Sequence, residues 1–314
     1  MDSLRKKLSK IPIAIIPTFV GLCTLSNIYL LLGFSWIRHI SMIVSIIILL
    51  AYLLKMATNF KLINEEYSKA IPASLYAGIT MLIMIIGSYI FDYNEILGKY
   101  IWFIGLIIHV IHIIIFTYRN VIKNFNMLTF IPTWFVTYNG IMVSTVVGSV
   151  MNEPAISKII VYYGIAILFI IMPFMIYRLV KYEIKDDSYH TQAIVLAPSS
   201  LCVVSYINVI KNANTTLIYV LYMAVLLSLV FVLYKLPKFF AYKFSPGFAG
   251  LTFPMAIGIV ASVKVSGVLE KQGYSILSFI TKEISGVQIF ITTGIITFVI
   301  FNFMTMLRNS FKEN

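Results

Sequence analysis

The chain has 314 residues, 60% of them hydrophobic and only 11% charged, with a formal net charge of +12. A soluble domain carries roughly 25% charged residues, so this sequence cannot coat a water-facing surface. With 2 Cys, 16 Gly and 10 Pro it is neither a disulfide-built module nor a collagen-like or low-complexity chain, which leaves an all-α integral membrane protein.

A crossing helix needs about 20 apolar residues to span a hydrocarbon layer of roughly 30 Å. In chain order the sequence predicts ten: 11–33, 37–58, 70–91, 97–118, 128–150, 156–178, 191–210, 215–235, 246–266 and 287–307. The first is too long for a signal-peptide core and is followed by nine more, so it reads as a span. Together they form one transmembrane domain, 1–314, with no room for a soluble one.

Basic residues collect on the cytoplasmic side. With the N-terminus inside, the inner segments hold 17 of the 24 Lys and Arg; the outer segments hold Arg38, Lys99, Lys158, Lys211, Lys264, Lys271 and Lys282. Both termini are therefore expected in the cytoplasm, and an even number of crossings follows. The positive charge is thus explained by the membrane, and no nucleic-acid partner is expected.

The odd spans share a mark. Pro17, Pro72, Pro132, Pro198 and Pro254 recur at intervals of 55, 60, 66 and 56 residues, in similar contexts such as Ile16-Pro17-Thr18-Phe19 and Ile131-Pro132-Thr133-Trp134. Proline removes an N–H and clashes with the preceding turn, so each is expected to kink its span where protein or water can satisfy the freed carbonyl. The odd spans also hold most of the hydroxyls and amides, among them Thr18, Asn27, Ser74, Thr137, Asn139, Ser199, Asn208 and Thr252, whereas even spans are mostly Ile, Leu, Val and Phe. Five helical hairpins around a central pore, odd helices inside and even helices against lipid, account for this. An inverted five-plus-five repeat would place breaks in spans one and six and leaves those in three, five, seven and nine unexplained.

None of the 12 acidic residues falls within an expected span. Cation pathways and ion-coupled carriers keep intramembrane carboxylates, so a path lined by hydroxyls, amides and backbone N–H groups points to small anions. Lys264, about 15 Å beyond Pro254 along a helix, reaches the outer interface, where it could attract anions or simply snorkel. His109 and His112 share a helix face at i, i+3, but no Cys, Asp or Glu stands at ligand spacing beside them, so they read as hydrogen-bonded packing residues. Cys23 and Cys202 read as inert core thiols. No metal or cofactor is expected, and no catalytic motif supports an enzyme.

These features, above all the stretch Leu251-Thr252-Phe253-Pro254-Met255, resemble the tellurite-resistance/dicarboxylate transporter family over roughly residues 10–308. That family includes bacterial tellurite-resistance proteins, yeast malate and sulfite carriers and plant guard-cell slow anion channels. The resemblance implies a homotrimer in the cell membrane, each protomer with its own pore plugged by a phenylalanine of the ninth helix, a position matched by Phe253. Phe19, Trp134 and Phe135 stand at comparable heights beside their own prolines and are candidates to narrow the same constriction. An anion channel gated by Phe253 is therefore the expected function. The alternative is a carrier of C4-dicarboxylates, sulfite or tellurite-related oxyanions, with or without protons.

Overall fold

Helix is the only regular structure among the described residues, 2–312, of the computed structural model. Hydrocarbon imposes this, because a helix satisfies its backbone polar groups within itself. Ten apolar elements follow in order: α1 (Ile15–Leu31), α2 (Ser35–Thr58), α3 (Ala70–Phe91), α4 (Glu95–Lys123), α5 (short turns over 134–151), α6 (Pro154–Lys181), α7 (Asp186–Val209), α8 (Thr215–Ala241), α9 (Pro246–Lys271) and α10 (Ser275–Lys312). Eight are long and apolar enough to cross a membrane, whereas α1 has 17 residues and α5 is broken. The pieces of α5 are Trp134–Tyr138, Gly140–Met142, Val143–Val147 and Gly148–Met151. Two glycines and a β-branched run weaken its helical preference, and irregular backbone at such depth survives only when protein surrounds it.

Protein does surround it. The odd elements contact one another in a closed cycle, α1 to α3 to α5 to α7 to α9 and back to α1. Each even helix packs outside, against its hairpin partner and the next odd element: α2 on α1 and α3, α4 on α3 and α5, and so on to α10 on α9 and α1. Burial divides the same way. The apolar stretches of α3, α7 and α9 are 72, 83 and 83% buried, and those of α2, α4, α6, α8 and α10 are 33% buried. The all-α fold of hairpins, read from the sequence, is thus the observed one.

The prolines act differently from the expected kinks. Pro17, Pro72, Pro198 and Pro254 each stand third in an α-helical stretch, those beginning at Ile15, Ala70, Leu196 and Thr252. Pro132 lies just before the stretch that begins at Trp134. The first four N–H groups of a helix have no internal partner, so proline there removes no hydrogen bond. In α7 and α9 the α-helix is preceded by a tighter 3-10 stretch, over Asp186–Val195 and Pro246–Leu251. In α3 the helix stops at Leu75 and restarts at Ala77. The repeated proline therefore marks where an inner α-helix starts, and in α7 and α9 that start lies part-way into the element.

The first and last hairpins turn identically. Gly33 and Gly273 adopt φ of +92° and +82°, and the amides of Phe34 and Tyr274 reach back to the carbonyls of Tyr29 and Leu269. This is the left-handed glycine stop of a helix, which no side-chain-bearing residue makes as cheaply.

Candidate functional site

A narrow cavity of about 40 Å³ lies on the axis of the ring. One water needs roughly 10–15 Å³ by this measure, so the space fits a few waters and no more. All five odd elements line it and no even one does: Pro17 of α1, Leu75 and Met81 of α3, Phe135 and Gly140 of α5, Ile194, Ala197 and Leu201 of α7, Phe253 and Pro254 of α9. No charged side chain lines it, and Thr191 is its one hydroxyl.

The lining positions explain why the helix starts matter. Pro17, Phe135, Ala197, Phe253 and Pro254 all fall in the first turn of an α-helical stretch, and Leu75 lies two residues before one. Five helix N-termini therefore converge around the space. Their first N–H groups are largely taken up by the preceding turn, Ile16 N–H by the Ile13 carbonyl, Phe135 by Pro132, Leu196 by Ala193 and Thr252 by Ala249. The α-helices that start here in α1, α7 and α9, of 17, 14 and 20 residues, turn the positive ends of their dipoles towards this level.

Most of the hydroxyls expected along the path are used elsewhere, although those of Thr133 and Ser199 are buried without a partner. Thr18, Thr24, Ser74, Ser144, Ser200 and Thr252 donate back to carbonyls three or four residues earlier in their own elements. Others join neighbouring staves of the ring. Thr145 donates to Ser205 Oγ at 2.7 Å, joining α5 to α7, and Asn139 Nδ2 donates to the Gly164 carbonyl of α6 at 3.0 Å. Thr137 Oγ1 lies 3.3 Å from the Ser74 carbonyl, joining α5 to α3. The polarity of the odd elements thus holds the wall together, and the narrowest part of the axis is left apolar.

Of the sequence-derived site residues, Phe253, Phe135, Pro17 and Pro254 meet at this cavity, whereas Pro72, Pro132 and Pro198 do not line it. Trp134 points away. Its ring packs edge-on against Phe116 and Phe130 at 5.2 and 4.9 Å, beside an apolar groove that also holds the exposed Phe125 and Phe174. Phe19 is sealed in the core. Lys264 is exposed on the far part of α9. His109 and His112 are buried and bonded through both ring nitrogens, His109 to Thr80 Oγ1 and the Thr137 carbonyl, His112 to Tyr67 and Thr137 Oγ1. Leu75, Met81, Ile194 and Leu201 were not singled out from the sequence, where nothing separates them from other apolar residues.

Two further features touch residues at or next to lining positions. Gly21 of α1 lies directly against α9, and a Cβ there would fall 2.7 Å from Phe253 N and 2.8 Å from the Thr252 carbonyl carbon. Gly21→Ala should wedge α1 from α9 and cost about 1–3 kcal/mol, as overpacking does. The measurement is a lowered melting temperature of the purified protein in detergent. On the other flank, Lys55 is fully buried and donates to Glu66 Oε1 at 2.8 Å and the Ile11 carbonyl at 2.9 Å. Glu66 Oε2 accepts from Tyr76 at 2.8 Å, one residue from Leu75. Glu66 belongs to the linking helix Phe60–Ser68, so its approach to the buried ring was not visible in the sequence.

Helix starts of the five odd elements ring an apolar cavity that no carboxylate lines among the described residues. A family model described as voltage-dependent anion channel, SLAC1, matches residues 10–307. The chain belongs to this family. Comparison with curated protein sequences finds no match. Membership makes it a multi-pass membrane protein of a family of anion channels and transporters, in agreement with the resemblance drawn from the aligned prolines and the Thr252–Met255 stretch.

Proposed function

We propose that this SLAC1-family protein is a channel through which small anions move down their gradient along the axis of the five odd helices, with Phe253 as the gate. In this reading the chain crosses the cell membrane ten times with both termini in the cytoplasm, as the excess of Lys and Arg in the inner segments supports, and three protomers assemble, each with its own pore. The observation that carries the reading is the axial cavity: every odd element contributes to it, helix N-termini surround it, and its lining holds neither a carboxylate nor a fixed cation. Attraction without a fixed counter-charge suits conduction, which requires that an ion leave as readily as it enters. The apolar lining at Phe253 and Phe135 suits closure, because hydrophobic constrictions block ions by excluding water. Lys264, exposed towards the far end of α9, draws anions to the outer opening.

The test is a planar bilayer holding the purified protein under asymmetric chloride, nitrate and malate. Reversal potentials should follow the anion gradients, and currents should rise with driving force without saturating at millimolar concentrations. Cation-following potentials would remove the reading. Saturable, electrically silent flux that tracks a pH gradient would replace the channel by a carrier.

A further inference from the structure

A second cavity lies off the axis, at the end of α4 that the distribution of basic residues assigns to the cytoplasm. It is a cleft of about 420 Å³ lined by Ser68, Tyr118, Arg119, Lys123, Asn124 and Thr129. That volume is within the usual range for small-molecule sites, roughly 300–1,000 Å³. Here α4 leaves the α-helix for a wider π-turn over Tyr118–Lys123, a rare geometry found most often at functional positions.

The charges in the cleft lack counter-ions. Arg119 lies over the Tyr67 ring at 5.4 Å and Lys123 over the Tyr118 ring at 5.0 Å. Among the described residues neither joins an ion pair or donates a hydrogen bond. A guanidinium offers five donors in a planar fork, and none of those on Arg119 is used. Among the described residues no acidic one lines the cleft. The C-terminal end of α4 contributes about half a negative charge, which two full cations exceed.

We propose that this cleft binds a phosphoryl-bearing anion. Arg119 supplies bidentate contacts to two phosphoryl oxygens and Lys123 a point charge, while Ser68, Asn124 and Thr129 offer neutral donors at the rim. Its volume suits a phosphorylated headgroup or solute better than a bare ion. Ile122, Phe125 and Leu128 beside it are 69, 53 and 61% exposed, as befits a site level with the membrane surface. The phosphoryl group can therefore belong to an anionic phospholipid of the inner leaflet, where polybasic sites are attracted, or to a soluble phosphate ester.

The cleft is tied to the ring. Tyr67, the platform under Arg119, bonds His112 Nδ1 through its hydroxyl at 2.8 Å, and His112 Nε2 lies 3.2 Å from Thr137 Oγ1 of α5. Thr137 Oγ1 donates to the Ser74 carbonyl, so a neutral His112 donates from Nε2 and accepts at Nδ1 from Tyr67. A ligand that draws the guanidinium off the ring acts through it on α5, beside the lining residue Val136. This last link rests on the conduction reading; binding in the cleft does not.

Native mass spectrometry of the full chain in detergent, with phosphatidylglycerol or phosphatidylcholine added, tests the lipid source. Thermal melting with inorganic phosphate tests the soluble one. Wild type should retain phosphatidylglycerol about tenfold better than phosphatidylcholine, and Arg119→Gln with Lys123→Gln should abolish that preference. Lys181→Gln with Lys185→Gln, exposed charges on the same side, should keep it. A phosphate-induced rise in melting temperature lost in the Arg119/Lys123 variant, without lipid preference, assigns the site to soluble phosphates and still supports it. If the double variant does not fold, Lys123→Gln alone at an exposed position should lose about threefold. Binding of both probes that is indifferent to Arg119 and Lys123, or equally lost in the Lys181/Lys185 control, overturns the proposal.

Discussion

Replacing Phe253 by Ala should raise the anion current through purified protein in a planar bilayer by about tenfold or more. The ring of Phe253 and that of Phe135 border a space of about 40 Å³ with an apolar lining. An anion crossing it gives up water without gaining side-chain partners, and desolvating an ion in an apolar site costs many kcal/mol unless it is compensated. A barrier lowered by only ~1.4 kcal/mol already raises a rate tenfold. Truncation to Ala opens the space to a hydrated file, so the expected gain is large. Phe253 is 6% exposed and belongs to the main core, so the variant also loses packing, and its melting temperature should be read in parallel. Folded protein with wild-type current would remove the gate from Phe253.

The second large effect concerns stability and is asymmetric. Glu66→Ala strands the fully buried Lys55 with a single carbonyl partner. Removing one member of a buried ion pair costs about 3–5 kcal/mol. Glu66 is itself a quarter exposed, so water softens the loss towards the lower limit, about 3 kcal/mol. Lys55→Met deletes the buried charge instead and leaves Glu66 accepting from Tyr76 and reached by water. It should cost about 1 kcal/mol or less, because replacing buried ionic groups by apolar ones of similar size is close to neutral. Melting temperatures in detergent distinguish the two, and equal losses would mean that the pair does not carry the junction between α1, α2 and the linking helix.

Much of this architecture was legible in the chain. Five prolines at matched intervals and the polarity difference between odd and even spans announced an inner and an outer set, and the packing follows that division. The role of the polarity was not legible. Thr145 and Ser205 lie 60 residues apart, and only the folded ring shows that such hydroxyls face each other and not the axis. Adjacent residues on a helix point about 100° apart, so the sequence could not say that Phe135 turns to the cavity while Trp134 turns away from it. The prolines misled in a similar manner. A proline inside an apolar run suggests a kink, but 3-10 stretches before Leu196 and Thr252 move the true helix start to the proline itself. Glu66 was hidden because a carboxylate on an amphipathic link can fold back into the bundle.

The stitching of the wall limits how such a conduit can switch. Buried hydrogen bonds between staves, such as Thr145 to Ser205, are expensive to leave unmade, and Gly21 locks α1 against α9 at backbone contact. A barrel so fastened resists iris-like dilation. Rotation of the proposed gate ring about its own side-chain torsions asks nothing of those bonds, whereas collective helix motions take microseconds to milliseconds. Under the proposed gating the wall is a fixed housing, and Phe253 alone has to move.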